Sequence, residues 1–138
     1  MGPKILIIDD EADVIKYLTV VLKSNGFQTY SISSVRDAKA KVEEIGPDLI
    51  CLDIMMPEET GISFYSKLRR DKNYSAIPVI IISGVVQSGE FDFQSFLSDN
   101  SVPPPNYFME KPINVEEFIA TINKLIKSKN SSNNRRSV

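Results

Sequence analysis

The chain contains no histidine, and that absence removes several chemistries at once: imidazole-ligated metals, Ser-His triads, and a phosphohistidine formed on this polypeptide itself. One cysteine, Cys51, leaves no intrachain disulfide to be made, which fits a reducing, cytoplasmic compartment. No basic start followed by an apolar stretch marks a secretory signal or a membrane span, so no membrane association is expected. Positive charge is not in excess either. Sixteen basic against eighteen acidic side chains give a net charge of −2, too weak a field to gather nucleic acid, which is therefore not expected as a direct partner. With 138 residues, 42% of them hydrophobic, there is material for one sizeable core and not for two ordinary domains. What chemistry remains must rest on carboxylates, hydroxyls and amines.

Five short apolar runs, mostly rich in Ile and Val, recur at 4–8, 27–32, 49–52, 78–82 and, weakly, 107–109; their length and composition suit buried strands. Between them lie segments with helical spacing. Val14, Leu18, Val21 and Leu22 precede Gly26, and Val35, Ala38, Val42 and Ile45 precede Gly46-Pro47, where glycine and proline stop a helix. Ser34 with Asp37, and Asn114 with Glu117, have the spacing of capping boxes; the second leads into Phe118, Ile119, Ile122, Leu125 and Ile126. Strands alternating with helices predict an α/β domain: a parallel sheet with right-handed crossovers and helices on both faces. Phe91, Phe93, Phe96 and Leu97, followed by Val102-Pro103-Pro104-Pro105, predict an irregular helix that ends early and hands over to an extended proline segment. Residues 1–127 make up the predicted domain. Residues 128–138 lack apolar periodicity and are expected to be a fraying or disordered polar tail or linker.

All strands of a parallel sheet point one way, so residues just past their carboxyl ends gather at one edge, where open α/β folds bind ligands. Asp9 and Asp10 follow the first run, Asp53 the third, Ser83-Gly84 the fourth and Lys111-Pro112 the fifth. Three clustered carboxylates repel one another and raise at least one pKa unless a hard cation lies among them. Mg2+ suits that donor set, because it takes oxygen ligands and is held by one or two carboxylates plus a phosphate oxygen. Asp53 beside such a cation could attack a phosphoryl group as a carboxylate nucleophile, giving an acyl phosphate. Lys111 would neutralise the phosphoryl oxygens, Ser83 would donate a hydrogen bond to them, and Gly84 would leave the approach open.

These residues resemble the receiver domain of two-component response regulators, over positions 4–127. The resemblance rests on Asp9-Asp10, on Leu52-Asp53-Ile54-Met55-Met56-Pro57 followed by Gly61, on Ser83 after Pro78-Val79-Ile80-Ile81-Ile82, and on Phe108-Met109-Glu110-Lys111-Pro112. It implies a flavodoxin-like fold, with a five-stranded sheet of order 2-1-3-4-5. Asp53 would accept phosphate from the phosphohistidine of a histidine kinase or a histidine phosphotransfer protein. Mg2+ would be bound by Asp10, Asp53 and the backbone carbonyl of Met55, with Asp9 acting through water. The implied switch has Ser83 swing toward the phosphate and Phe108 rotate inward, reported to a downstream protein by the fourth helix, the fifth strand and the fifth helix. It also implies a cis Lys111-Pro112 bond, and a carrier rather than a turnover enzyme.

Two places depart from the family's pattern. The spacing from Ser83 to Lys111, 111 − 83 = 28 positions, is long, and the excess falls on the Phe-rich and triple-proline stretch. Met55 and Val85 stand two positions beyond the phosphoacceptor and the hydroxyl, where neither can orient a water, so slow self-dephosphorylation is expected. Competing functions fit less well. A phosphoaspartate phosphatase of the haloacid-dehalogenase type carries its nucleophile on the first strand with a second Asp two residues on. Here Asp53 follows the third run, with Met55 at that place. Asp9-Asp10-Glu11 would repel a flavin phosphate. An interaction module that keeps the fold without being phosphorylated is the remaining alternative. Cys51, between Ile50 and Leu52, reads as core.

Overall fold

A computed structural model of the chain describes residues 2–54, 61–84 and 102–136, with side chains through Ser128. The elements run β1 (Lys4–Ile8), α1 (Ala12–Ser24), β2 (Gln28–Ile32), a 3-10 turn (Val35–Asp37), α2 (Ala38–Ile45), β3 (Leu49–Leu52), α3 (Gly61–Arg70), β4 (Val79–Ser83), β5 (Tyr107–Glu110) and α4 (Val115–Arg136). The five strands are parallel, as the alternating pattern predicts, and pair in the order β2-β1-β3-β4-β5, as the resemblance implies. Phe91, Phe93 and Phe96 lie outside the described residues, so the irregular helix expected there does too. Among the described residues no helix is long and apolar enough to cross a membrane.

Strand side chains alternate faces, and the core splits accordingly. Leu6, Ile8, Ile50, Leu52, Val79 and Ile81 pack on one side under Ala38 and Val42 of α2 and Phe64, Tyr65 and Leu68 of α3. Ile5, Ile7, Leu49, Cys51, Ile80 and Ile82 pack on the other, under Leu18 and Leu22 of α1 and Phe118, Ile122 and Ile126 of α4. β1, β3 and β4 are buried on both faces, which is why they read as continuous apolar runs rather than alternating ones.

Helix ends follow local chemistry with two corrections. Gly46 closes α2 with φ 62°, the left-handed value that glycine tolerates. Asn114 accepts from the Glu117 amide at 2.9 Å, as a helix cap should. The Glu117 carboxylate, however, takes the Tyr107 hydroxyl at 2.8 Å instead of completing a box. Ser34 likewise caps a 3-10 turn, accepting from Arg36 at 3.2 Å. α4 continues past Lys127 to Arg136, where the sequence pattern predicts fraying. Lys, Ser and Asn each cost no more than about 0.7 kcal/mol relative to Ala in a helix, so a helix nucleated by a buried face can propagate across them.

Val102 is buried in the α2–α3 side of the core, and Pro103–Pro105 follow without regular structure. The Tyr65 hydroxyl donates to the Pro103 carbonyl at 2.7 Å, tying this segment to α3.

Candidate functional site

β1 and β3 end in register, with Ile8 opposite Leu52, so the next residues, Asp9 and Asp53, emerge side by side at the carboxyl edge. Each backbone is held by its neighbour: the Asp9 amide donates to Ile32 at 3.2 Å and the Asp53 amide to Ile8 at 2.9 Å. Both side chains are buried, Asp9 at 2% exposure and Asp53 at 4%, whereas Asp10 and Glu11 are exposed. Carboxylate oxygens of Asp9, Asp10, Glu11 and Asp53 all lie within 4.8 Å of one another.

Lys111, just past β5, reaches into this group. Its Nζ stands 2.9 Å from Glu11 Oε1, 3.3 Å from Asp9 Oδ2 and 3.4 Å from Asp53 Oδ2. Only the first is within the range of a short charge-assisted hydrogen bond, so the ammonium is held most closely by Glu11. The Lys111–Pro112 peptide bond is cis, as the resemblance implies. Asp9 Oδ1 accepts the Glu11 amide at 2.9 Å, which orders the turn between β1 and α1.

One ammonium meets three carboxylates of a cluster of four, and the protonation equilibria register the imbalance. Burial raises the Asp9 pKa and the Asp53 charge raises it further, only partly offset by the Glu11 amide and Lys111. Burial opposes the charged form of Lys111, but its bond to Glu11 and the charges of Asp53 and Asp9 outweigh that, holding the amine above its ordinary value. Lys111 is therefore a fixed cation at neutral pH. The donor set is all oxygen and strongly negative, with no nitrogen or sulfur ligand among the described residues; it fits a hard divalent ion and not a thiophilic one. Met55, whose carbonyl the resemblance assigns to the metal, lies outside the described residues.

Ser83 ends β4 at 1% exposure, and its carbonyl accepts the Lys111 amide at 3.4 Å, so hydroxyl and amine share the same edge. Phe108 pairs with Ile81, is half-buried and packs against the α2–α3 side of the core. Cys51 is buried, and burial pushes its thiol pKa up, which makes it the core residue its neighbours imply.

Two residues in the motifs acquire roles that the sequence pattern does not assign. Glu11 is the Lys111 partner; its signal was the third consecutive acid. Gly61 opens α3 directly against the phosphoacceptor candidate: a Cβ there would meet the Asp53 carbonyl and the Ile54 Cα, and its amide donates to Ile54 at 3.0 Å. Gly84 is the converse. A Cβ on it would meet nothing within 4 Å among the described residues, so local space does not demand glycine there.

The family described as the response regulator receiver domain matches residues 5–123. The chain is 30% identical over 127 residues to the DNA-binding dual master transcriptional regulator RpaA of Synechocystis, covering 91% of this chain and 49% of that protein. It is 31% identical over 122 residues to the phosphate regulon transcriptional regulatory protein PhoB of Escherichia coli, covering 88% and 51%. The chain thus spans about half the length of these relatives. DNA binding in the name of the first runs against the expectation of no nucleic-acid partner, since net charge over this stretch does not speak for a longer protein. The receiver domain of a Pseudomonas aeruginosa sensor histidine kinase, described with a magnesium ion coordinated in its active-site cleft, superposes with a TM-score of 0.78 at 20% identity, covering 92% and 99%.

Proposed function

The chain belongs to the response regulator receiver domain family, and from that membership we propose that Asp53 accepts a phosphoryl group from the phosphohistidine of a histidine kinase or histidine phosphotransfer protein. An Asp53 carboxylate oxygen attacks phosphorus, the P–N bond to the partner's imidazole breaks, and an acyl phosphate remains on Asp53. The observation that carries this is Lys111: its ammonium lies 3.4 Å from Asp53 and 3.3 Å from buried Asp9, where it can neutralise oxygens of the incoming group. Mg2+, held by Asp10, Asp53 and the Met55 carbonyl with Asp9 acting through water, would supply further neutralisation of those oxygens. Ser83, at the same edge, donates to the new phosphate, and Phe108 follows into the space it leaves.

The added charge of about −1.5 to −2 at Asp53 biases that packed pair and changes the face seen by a downstream protein partner, to which β5 and α4 belong; the fourth helix expected to complete it lies outside the described residues. The domain is a phosphoryl carrier that promotes its own modification rather than an enzyme on an external substrate. Residues 1–127 constitute it, 128–138 extend it as a polar linker, and a lone free thiol at Cys51 is at home in the cytoplasm.

Incubation with acetyl phosphate and Mg2+ followed by intact-mass measurement tests the proposal. A gain of about 80 Da that disappears in Asp53→Asn is expected. Wild type that stays unmodified by acetyl phosphate and by a phosphorylated partner kinase would favour the interaction module that is never phosphorylated.

A further inference from the structure

The turn that joins α1 to β2 contains the chain's only Asn-Gly step, Asn25-Gly26, and both residues are exposed. Such a pair carries its own reaction. The backbone nitrogen of Gly26, once deprotonated, attacks the side-chain carbonyl carbon of Asn25. The bond to the side-chain nitrogen breaks, ammonia leaves with the amide proton, and a five-membered succinimide remains, which water opens to aspartate or isoaspartate. Glycine is the most permissive successor, because no Cβ crowds its nitrogen. Water and hydroxide are the only co-reactants.

The fold holds the pair out of this reaction. Asn25 has ψ 15°, which turns the Gly26 nitrogen away from the Asn25 side chain, so the ring cannot close in this conformation. Asn25 Nδ2 donates to the Val21 carbonyl at 2.8 Å. The amides of Asn25 and Phe27 donate to Leu22 at 3.0 and 3.1 Å, and that of Gly26 to Lys23 at 3.2 Å. Attack requires Asn25 to rotate out of this turn and the Gly26 amide to leave its acceptor. Helix ends open locally far more often than a domain unfolds. We propose that Asn25-Gly26 is a site of spontaneous deamidation whose rate is set by opening of the last turn of α1.

The product fits the turn poorly. A carboxylate has no hydrogen for the Val21 carbonyl and places negative charge at the end of the helix that disfavours it. Isoaspartate also lengthens the backbone by one atom, where there is little slack: a Cβ on Gly2 would collide with the Gly26 carbonyl, and Gln28 holds the Gly2 and Pro3 carbonyls at 2.7 and 2.9 Å. β2 begins here, with Gln28 opposite Lys4 of β1, so the damage falls at the amino edge of the sheet, away from the acidic edge. The inference therefore stands whether or not Asp53 is phosphorylated.

The test is incubation of the full chain in warm, mildly alkaline buffer, with and without denaturing urea, followed by intact-mass measurement and peptide mapping. A gain of about 1 Da, mapped to position 25 with both aspartate and isoaspartate present, is expected in each. It should be roughly tenfold or more faster in denaturing urea, and below the unfolding midpoint its rate should rise in step with hydrogen exchange of the Gly26 amide. Asn25→Gln, whose ring would be six-membered, should lose the gain at that position. Asn25→Asp, which reproduces one product, should unfold at lower urea than wild type and respond to acetyl phosphate as wild type does. The proposal is overturned if the folded protein gains no mass at position 25, if its rate equals that in denaturing urea, if isoaspartate is absent from the product, or if Asn25→Asp unfolds at the wild-type midpoint.

Discussion

Lys111 and Arg69 are both cations set among converging oxygens, but the oxygens differ. Arg69 donates to the Tyr65 hydroxyl at 3.0 Å, to the Ile77 and Ser75 carbonyls at 2.8 and 3.2 Å, and to Asn106 Oδ1 at 3.0 Å. Its guanidinium carbon also lies 4.9 Å from the centroid of the Tyr65 ring. Every one of these acceptors is neutral, and one is satisfied twice: Asn106 Oδ1 also takes the Val79 amide at 2.9 Å. Among the described residues Lys111 faces only carboxylates, more of them than one ammonium can balance. The Arg69 cluster commits its donors to neutral protein acceptors, so it serves as scaffold, pinning α3 to the entry of β4 and to Asn106 just before β5. The Lys111 cluster is left electrostatically unbalanced, and a cation or a phosphoryl group changes it. Shared geometry thus separates into support and function by the charge of the acceptors.

Breaking the scaffold should give the largest effect on stability. Arg69→Ala removes four hydrogen bonds and strands part of the Ile77 and Asn106 acceptors, so a loss of about 2–3 kcal/mol is expected in urea unfolding. Tyr65→Phe, losing only the hydroxyl between Arg69 and Pro103, should cost about 1 kcal/mol. In both variants the folded fraction should still take up phosphate. If Arg69→Ala kept its stability but lost modification, the contrast between the two cations would be inverted.

A smaller effect with the opposite sign is expected at the acidic edge. The Asp9 pKa is raised mainly by burial, so the native protein holds that proton more tightly than the unfolded chain does. Stability contributed by this group therefore falls as pH rises from the ordinary carboxylate value through the raised one. Asp9→Asn removes the charge and keeps an acceptor for the Glu11 amide; it should raise the urea midpoint of the metal-free protein at pH 7, with the gain shrinking as pH falls through that window. Mg2+ should stabilise wild type more than this variant. A variant less stable than wild type at pH 7 without metal would show that Asp9 is scaffold like Arg69.

The smallest effect belongs to Glu11, whose side chain is 58% exposed. An ion pair so exposed contributes less than about 1 kcal/mol. Glu11→Gln frees Lys111 toward Asp53, so acetyl phosphate should modify the variant faster, by no more than about fivefold, with the difference fading at high salt. A rate unchanged at low salt would remove Glu11 from the control of Lys111.

Much of this was visible without coordinates because it is local. The runs at 4–8 and 49–52 coincide with β1 and β3, since a strand buried on both faces needs an unbroken apolar run. Asp9-Asp10 and Asp53 read as edge residues because each follows such a run. The capping-box spacing fails where a distant residue competes. Tyr107 takes the Glu117 carboxylate across 10 positions, which spacing alone does not show. Nothing in the local pattern signals the Arg69 cluster either, as Arg69 and Asn106 are 37 positions apart.

The sequence by itself determined the strands, the α/β alternation and the acids and amine at the strand ends, because periodicity and helix stops act over a few residues. Only tertiary structure decided that Lys111 meets Glu11 across 100 positions and Asp53 across 58, and that Gly61 abuts the Asp53 backbone. Those contacts depend on the register of β1 against β3 and β4 against β5. Pairing across distant strands sets that register, and no single run of residues contains it.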